Sequence, residues 1–241
     1  MIISSAGMPR SASTVTFNWM LHILKVHAVD RFYNASYISF EGNHHEIYDN
    51  LLTAVSNDRY DHAIFKTHTL PRHDALKLLN NQDHLTIFTI RNVIDSTKSL
   101  VGFFSNYEKD RSVIINLVVD QMQRCLTSLC ENYDLLTIVY YDDIVSNPDT
   151  VLKDLINKTP FDVTTNTIEQ CLEKYDLKNV MTMLEAMPAS IDRYHCWHKT
   201  HLGADIAIKE DVLRDFDYMI EAISPQIKSV ADSTGIDLLA L

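Results

Sequence analysis

The stretch "IISSAGMPRSAST", residues 2–14, decides how this chain is read. A short apolar, β-branched start gives way to a loop of small residues. Val15–Val26 follows, apolar on most sides as a buried helix is. Strand, loop and helix in that order suit a phosphate-binding turn. Laid on the pattern G-x-x-x-x-G-K-[ST], Gly7 and Thr14 fit. Ala12 stands where the second glycine belongs, Ser13 stands where the lysine belongs, and a cation arrives early, at Arg10. Ser11, Ala12, Ser13 and Thr14 open the helix, where free backbone amides and the helix dipole favour an anion. The Ser13 and Thr14 hydroxyls add donors, and Arg10 can lean over the same anion. A lysine is expected when the ligand is a triphosphate with magnesium. Its absence suggests a shorter phosphate chain and no required metal.

Three further apolar runs share the character of Ile2–Ser5: Ala63–Phe65, Leu85–Ile90 and Leu135–Tyr140. Each is too short for a helix and reads as a buried strand. Helices are expected at His44–Val55, Arg72–Leu79, Ile94–Tyr107 and Arg111–Tyr133. After Pro148 the chain reads as mostly helical: Asp149–Lys158, Thr167–Leu172 and a closing helix near Lys209–Ala231, with a long loop at Ala186–Asp205. Alternating strands and helices predict an α/β fold in three layers, a parallel sheet with helices on both faces. Ligands of such sheets bind at the carboxyl ends of the strands. Four polar segments fall at those ends: Gly7–Thr14, Lys66-Thr67-His68, Arg91-Asn92 and Tyr141-Asp142-Asp143.

Each segment has a chemical reading beside a plainer one. Lys66 and His68 are two apart, so in extended backbone they point to one side. His68 suits a general base and Lys66 a stabiliser of developing negative charge. The plainer alternative is a structural histidine, one of 11 in the chain. Arg91 and Ser99, eight apart, can reach one phosphate if a helix begins near Val93; otherwise Arg91 is a solvated or ion-paired arginine. Asp142 and Asp143 read as loop ties or a helix cap. Phe103, Phe104 and Tyr107 read as core or pocket wall, and His44-His45 with Glu41 and Glu46 as surface.

The ordered set "PRSAST", "FKTHTLP", "IRNVIDSTKSLVGFF" and "YYDDIVSNPDTVLKDL" resembles the sulfotransferases that use 3′-phosphoadenosine 5′-phosphosulfate, over residues 1 to 160. The resemblance implies a P-loop-like sulfotransferase domain in which Pro9–Thr14 holds the 5′-phosphosulfate. Arg10 would lie near the bridging oxygen, and Ser11, Ser13 and Thr14 would donate to the 5′-phosphate. It further implies that Arg91 and Ser99 grip the 3′-phosphate and that Lys66 and His68 are the catalytic lysine and base of an in-line transfer to a hydroxyl or amine acceptor. Three positions depart from the family. Ala12 replaces a glycine, and Val15 replaces an aromatic residue that packs on adenine, with Trp19 one turn on. The family's C-terminal R-K-G-x-x-G segment has its nearest counterpart in Trp197–Gly203, with Lys199 and His201 as cations.

Composition narrows the alternatives. With 21 basic and 32 acidic residues the formal net charge is 21 − 32 = −11, which argues against broad nucleic-acid or anionic-membrane binding. A length of 241 residues with few Gly and Pro suits one domain. Cys125, Cys130, Cys171 and Cys196 lack C-x-x-C spacing and read as reduced thiols of a cytoplasmic protein. No apolar run reaches membrane-helix length, and the first strand begins too early for a signal peptide. His195, Cys196, His198 and His201 are dense enough to suggest zinc, but structural zinc wants a second distant ligand pair; a histidine-rich loop over the site is the expectation. The alternatives in function are a P-loop kinase or NTPase, disfavoured by Ser13 in the lysine position, and a non-catalytic nucleotide-binding relative, disfavoured by the complete Lys66, His68, Arg91 and Ser99 set.

Overall fold

The computed structural model describes residues 1–27, 31–37, 53, 60–70, 73, 76–77, 84–105, 108, 110–186, 191–192, 197–198 and 214–241. Five strands form one parallel sheet: β1 (Ile2–Gly7), β2 (Phe32–Tyr37), β3 (His62–Lys66), β4 (His84–Ile90) and β5 (Thr137–Tyr140), in the order β2-β3-β1-β4-β5. The order reverses at β1, which lies between β3 and β4. The crevice at its carboxyl end is where an open α/β sheet receives a ligand.

Both faces of the sheet are buried, as a parallel sheet requires. The pleat sends alternate residues to opposite faces. Ile2, Ala6, Ala63, Phe65, Phe88 and Ile90 enter one apolar cluster, and Ile3, Ile64, Leu85 and Ile87 enter the other. The first cluster is covered by α2 (Val93–Ser105), α3 (Arg111–Asn132) and the closing α8 (Phe216–Thr234). The second is covered by α1 (Ser13–His27), α4 (Tyr141–Ser146), α5 (Pro148–Ile156), α6 (Thr165–Lys174) and α7 (Leu177–Ala186). Full burial of a side chain such as Phe17 or Phe88 contributes about 1.5–3 kcal/mol.

The helices start, and one accommodates a proline, for local reasons. The Asp110 carboxylate accepts from the Ser112 and Val113 amides at 2.8 and 3.3 Å and caps α3. Asn92 Oδ1 does the same for α2, accepting from Ile94 N at 2.9 Å and Asp95 N at 3.3 Å. Its amide nitrogen donates to the Leu239 carbonyl at 3.0 Å, and Val93 N donates to the Leu238 carbonyl at 2.9 Å. The last residues are thereby tied to the start of α2. Pro225 lies inside α8 and leaves the Glu221 carbonyl without its helical donor; Ser224 Oγ supplies one at 2.7 Å.

The sequence reading differs from the structure in several elements. The strand β2 went unforeseen: "FYNASY" has no apolar run, and it sits at the sheet edge with a register shift between Asn34 and Ser36. The fourth expected strand is shorter, because Tyr133–Leu135 forms a 3-10 turn and pairing begins at Thr137. Tyr141 begins α4, so Asp142 and Asp143 lie in its first turn. The helix α7 and the short pair Ile191–Asp192 with Trp197–His198 are also additions, the pair falling in a stretch read as loop. The closing helix starts at Phe216, with residues 209–213 outside the described ones. The helix expected at His44–Val55, with its His44-His45 pair, lies outside them except for Thr53; of Arg72–Leu79, residues 73, 76 and 77 are described and helical. No helix among the described residues is long and apolar enough to cross a membrane.

Candidate active site

Among the candidate residues, the described ones converge on the carboxyl end of β1. The loop after β1 turns tightly because Arg10 and Ala12 both adopt left-handed backbone, with φ of 64° and 67°. That alternation curls successive amides toward a common concavity of the kind that takes anions. Among the described residues the Ala12, Ser13 and Thr14 amides have no protein acceptor, and the Ser13 and Thr14 hydroxyls have no side-chain partner. Val15 N and Thr16 N already donate to the Ala12 carbonyl, so the donors left over are those that face the loop. A β-carbon in left-handed backbone costs about 1–2 kcal/mol, and the alanine at position 12 carries that cost where the resembled family has glycine.

The base of the loop is closed by hydroxyls. Ser11 is fully buried, and its Oγ lies 2.6 Å from the Met8 carbonyl, 3.0 Å from the Thr89 carbonyl and 2.6 Å from Thr89 Oγ1. One hydroxyl has one proton, and in this conformation protein acceptors surround it. Ser5 Oγ donates to the Ser13 carbonyl at 2.8 Å and pairs with Thr16 Oγ1 at 2.9 Å, pinning the start of α1 to β1. Ser96 Oγ donates to the Pro9 carbonyl from α2.

The cations come from three elements. Arg10 Nε donates to Ser99 Oγ at 2.9 Å, and its guanidinium stands 6.0 Å from the Phe103 ring centre. From the end of β4, Arg91 donates to the Arg10 carbonyl at 3.2 Å, pairs with Asp95 at 3.9 Å and stacks over Tyr141 at 4.3 Å. Arg10, Arg91 and Ser99 are therefore one linked group. From the end of β3, buried Lys66 approaches His68 Nε2 with its Nζ at 3.4 Å. His68 Nδ1 lies 3.2 Å from the Gly7 carbonyl. A carbonyl can only accept, so Nδ1 carries the proton and Nε2 the lone pair in this contact.

Some expectations fall elsewhere. Trp19 is 2% exposed and belongs to the apolar cluster that α1 covers. Lys199 and His201 lie outside the described residues, as do His195 and Cys196 of the dense histidine stretch; of His198 only the backbone is described. Cys125, Cys130 and Cys171 are free thiols, and burial pushes Cys171 up to about 12, which keeps it inert. Three contacts had no expectation attached: the Tyr141 stack on Arg91, the Ser96 bond to Pro9, and the fit of Gly7 against Thr89. A tyrosine opening a helix directly after a strand was the available signal for the first; the other two depend on the pairing of β1 with β4 and had none.

No family model and no curated protein sequence matches the chain. Solved structures do. The chain superposes on a mouse sulfotransferase, SULT7A1, complexed with PAP, with a TM-score of 0.54 and 11% identity over 92% of this chain and 84% of the other. It also superposes on retinol dehydratase bound to androsterone and inactive cofactor PAP, with a TM-score of 0.56 and 11% identity over 97% of this chain and 81% of that one. A further complex, of retinol dehydratase with retinol and PAP, gives 0.56 and 12% over 97% and 82%. The chain has the fold of these proteins.

Proposed function

We propose that this chain is a single-domain sulfotransferase. It moves a sulfuryl group from 3′-phosphoadenosine 5′-phosphosulfate to a hydroxyl or amine of a small-molecule acceptor. The observation that carries this reading is the convergence of Lys66 and His68 from β3, and of Arg10, Arg91 and Ser99, on a left-handed loop whose Ala12–Thr14 amides have no acceptor among the described residues. The likeness of fold to proteins solved with PAP supports it.

The donor set suits the cofactor. The Ala12, Ser13 and Thr14 amides and the two hydroxyls would hold a tetrahedral 5′-phosphate, with Ser11 at the base of the loop. Arg10 would neutralise charge at the bridging oxygen, Arg91 and Ser99 would hold the 3′-phosphate, and Lys199 would add a cation from outside the described residues. When bound, the cofactor supplies an activated sulfuryl group on a phosphate leaving group. His68 Nε2 takes the acceptor's proton, and Lys66 stabilises charge on the transferring oxygens. Positioning and fixed charge do most of the catalysis, so the scheme needs no metal. The sparse, unspaced cysteines suit a cytoplasmic setting.

Calorimetric titration with adenosine 3′,5′-bisphosphate in the absence of magnesium tests the reading, with ATP and magnesium as the control. Metal-free binding of the bisphosphate is expected. Preference for magnesium-ATP would instead favour a kinase or NTPase.

A further inference from the structure

The Gly7 backbone touches the proposed base, His68, and its surroundings are unusually tight. In the sheet register Gly7 lies beside Thr89. A β-carbon on Gly7 would stand 2.0 Å from Thr89 Oγ1, 2.7 Å from the Thr89 carbonyl oxygen and 2.9 Å from Ser11 Oγ. No side chain fits there. The Gly7 carbonyl and the Met8 N–H belong to the same planar trans peptide, so they point in opposite directions and turn together. Met8 N donates to the Thr89 carbonyl at 2.9 Å on the β4 side. The Gly7 carbonyl accepts from His68 Nδ1 at 3.2 Å on the β3 side. Ser11 Oγ locks the assembly, bridging the Met8 carbonyl and Thr89 Oγ1 at 2.6 Å each.

We infer that the Gly7–Met8 peptide, clamped by Thr89 and Ser11, is the positioning device for His68. It fixes the ring with the proton on Nδ1 and directs the Nε2 lone pair to the side of Lys66. Gly7, Thr89 and Ser11 act through His68 and are positioning residues. The inference rests on the proposed role of His68 as base, and deepens it. A base whose tautomer is set in advance needs no ring flip or proton exchange before it accepts a proton from the acceptor. The same loop would hold the leaving phosphate, so loop and base are aligned by one peptide.

The test reads the tautomer directly, without ligand or turnover. Long-range proton–nitrogen correlation spectra of the protein labelled with nitrogen-15 in its histidines are recorded at about pH 8, where an ordinary imidazole is neutral. The His68 signals are assigned by their loss in His68→Gln. The expected result is a pyrrole-like Nδ1 and a pyridine-like Nε2 in the wild type. Gly7→Ala should move His68 toward a mixture of tautomers. If Gly7→Ala does not fold, Ser11→Ala, which removes the lock without adding bulk, should produce the same change to a lesser degree. A wild-type His68 with its proton on Nε2 would overturn the inference. So would a wild-type tautomer ratio persisting in the folded variant. The bisphosphate titration is independent of this readout: failure to bind, with the tautomer as expected, sinks the proposed function and leaves the clamp standing.

Discussion

The two ends of the sheet carry similar side chains and use them differently. At the carboxyl ends of β1, β3 and β4, His68 sits between a carbonyl and an ammonium, and the Ala12–Thr14 amides of the neighbouring loop have no acceptor among the described residues. At the amino ends, His84 Nε2 meets Ser4 Oγ at 3.0 Å, with Thr86 Oγ1 at 3.3 Å, and burial pushes its imidazole down to about 3. His62, on the same end, packs edge-on against Phe161 at 5.1 Å and is also lowered by burial. The histidines of the amino end are kept neutral by lost water, whereas the carboxyl end gathers cations around polar groups left over. What separates a catalytic candidate from a structural histidine here is which partners its ring nitrogens reach.

The largest expected effect removes the carboxyl-end chemistry outright. His68→Ala should lower the sulfuryl-transfer rate about 10²–10⁴-fold, measured as labelled sulfate incorporation into a responsive acceptor. A variant with near-normal turnover removes His68 from the role of base. Arg91→Ala should weaken bisphosphate binding roughly 10–150-fold, the loss of one charged hydrogen bond of about 1.5–3 kcal/mol. Calorimetry measures it, and unchanged affinity would detach Arg91 from the phosphate site.

The amino end should respond to pH. His84 has a folded pKa near 3 against about 6.5 unfolded, so the unfolded chain takes up the proton first as pH falls. The stability held by neutral His84 is complete above about pH 6.5 and is lost between there and about pH 3. At about pH 5 the loss is at most about 2 kcal/mol, a ceiling because the residue is only partly buried. Urea unfolding at about pH 7 and pH 5 checks it, and His84→Gln, if folded, should flatten the difference. The smallest effect sharpens the loop: Ala12→Gly should raise stability by about 1 kcal/mol by relieving left-handed backbone. Destabilisation would mean that flexibility gained in the unfolded chain outweighs the relieved strain.

Much of this was legible in the sequence. The buried strands announce themselves as short apolar runs, and the polar segments after them fall at the ligand-binding ends because of how parallel sheets are connected. Arg10, Lys66, His68 and Arg91 lie in those segments, and the structure brings Ser99 to Arg10, Arg91 to the Arg10 carbonyl and His68 to Lys66. What stayed hidden has physical reasons. The strand β2 is an edge strand of small and polar residues whose pairing partner defines it. The strain at Ala12 is a backbone angle, which no composition records. The Gly7 fit against Thr89 joins residues far apart in sequence, and only the register of β1 on β4 reveals it.

The tie between the last residues and α2 bears on the order of folding. Asn92, next to Arg91, reaches a carbonyl 147 positions later, and Val93 N is satisfied by Leu238. Contacts of such separation pay the loop-closure entropy before they return anything, and they form slowly. A chain growing from its amino end holds every candidate residue from Arg10 to Ser99 long before the partner of Asn92 exists. The proposed anion site is thus expected to mature late, as a checkpoint on complete folding: any bisphosphate affinity should recover after, and more slowly than, the helical signal when the denatured protein is diluted into buffer.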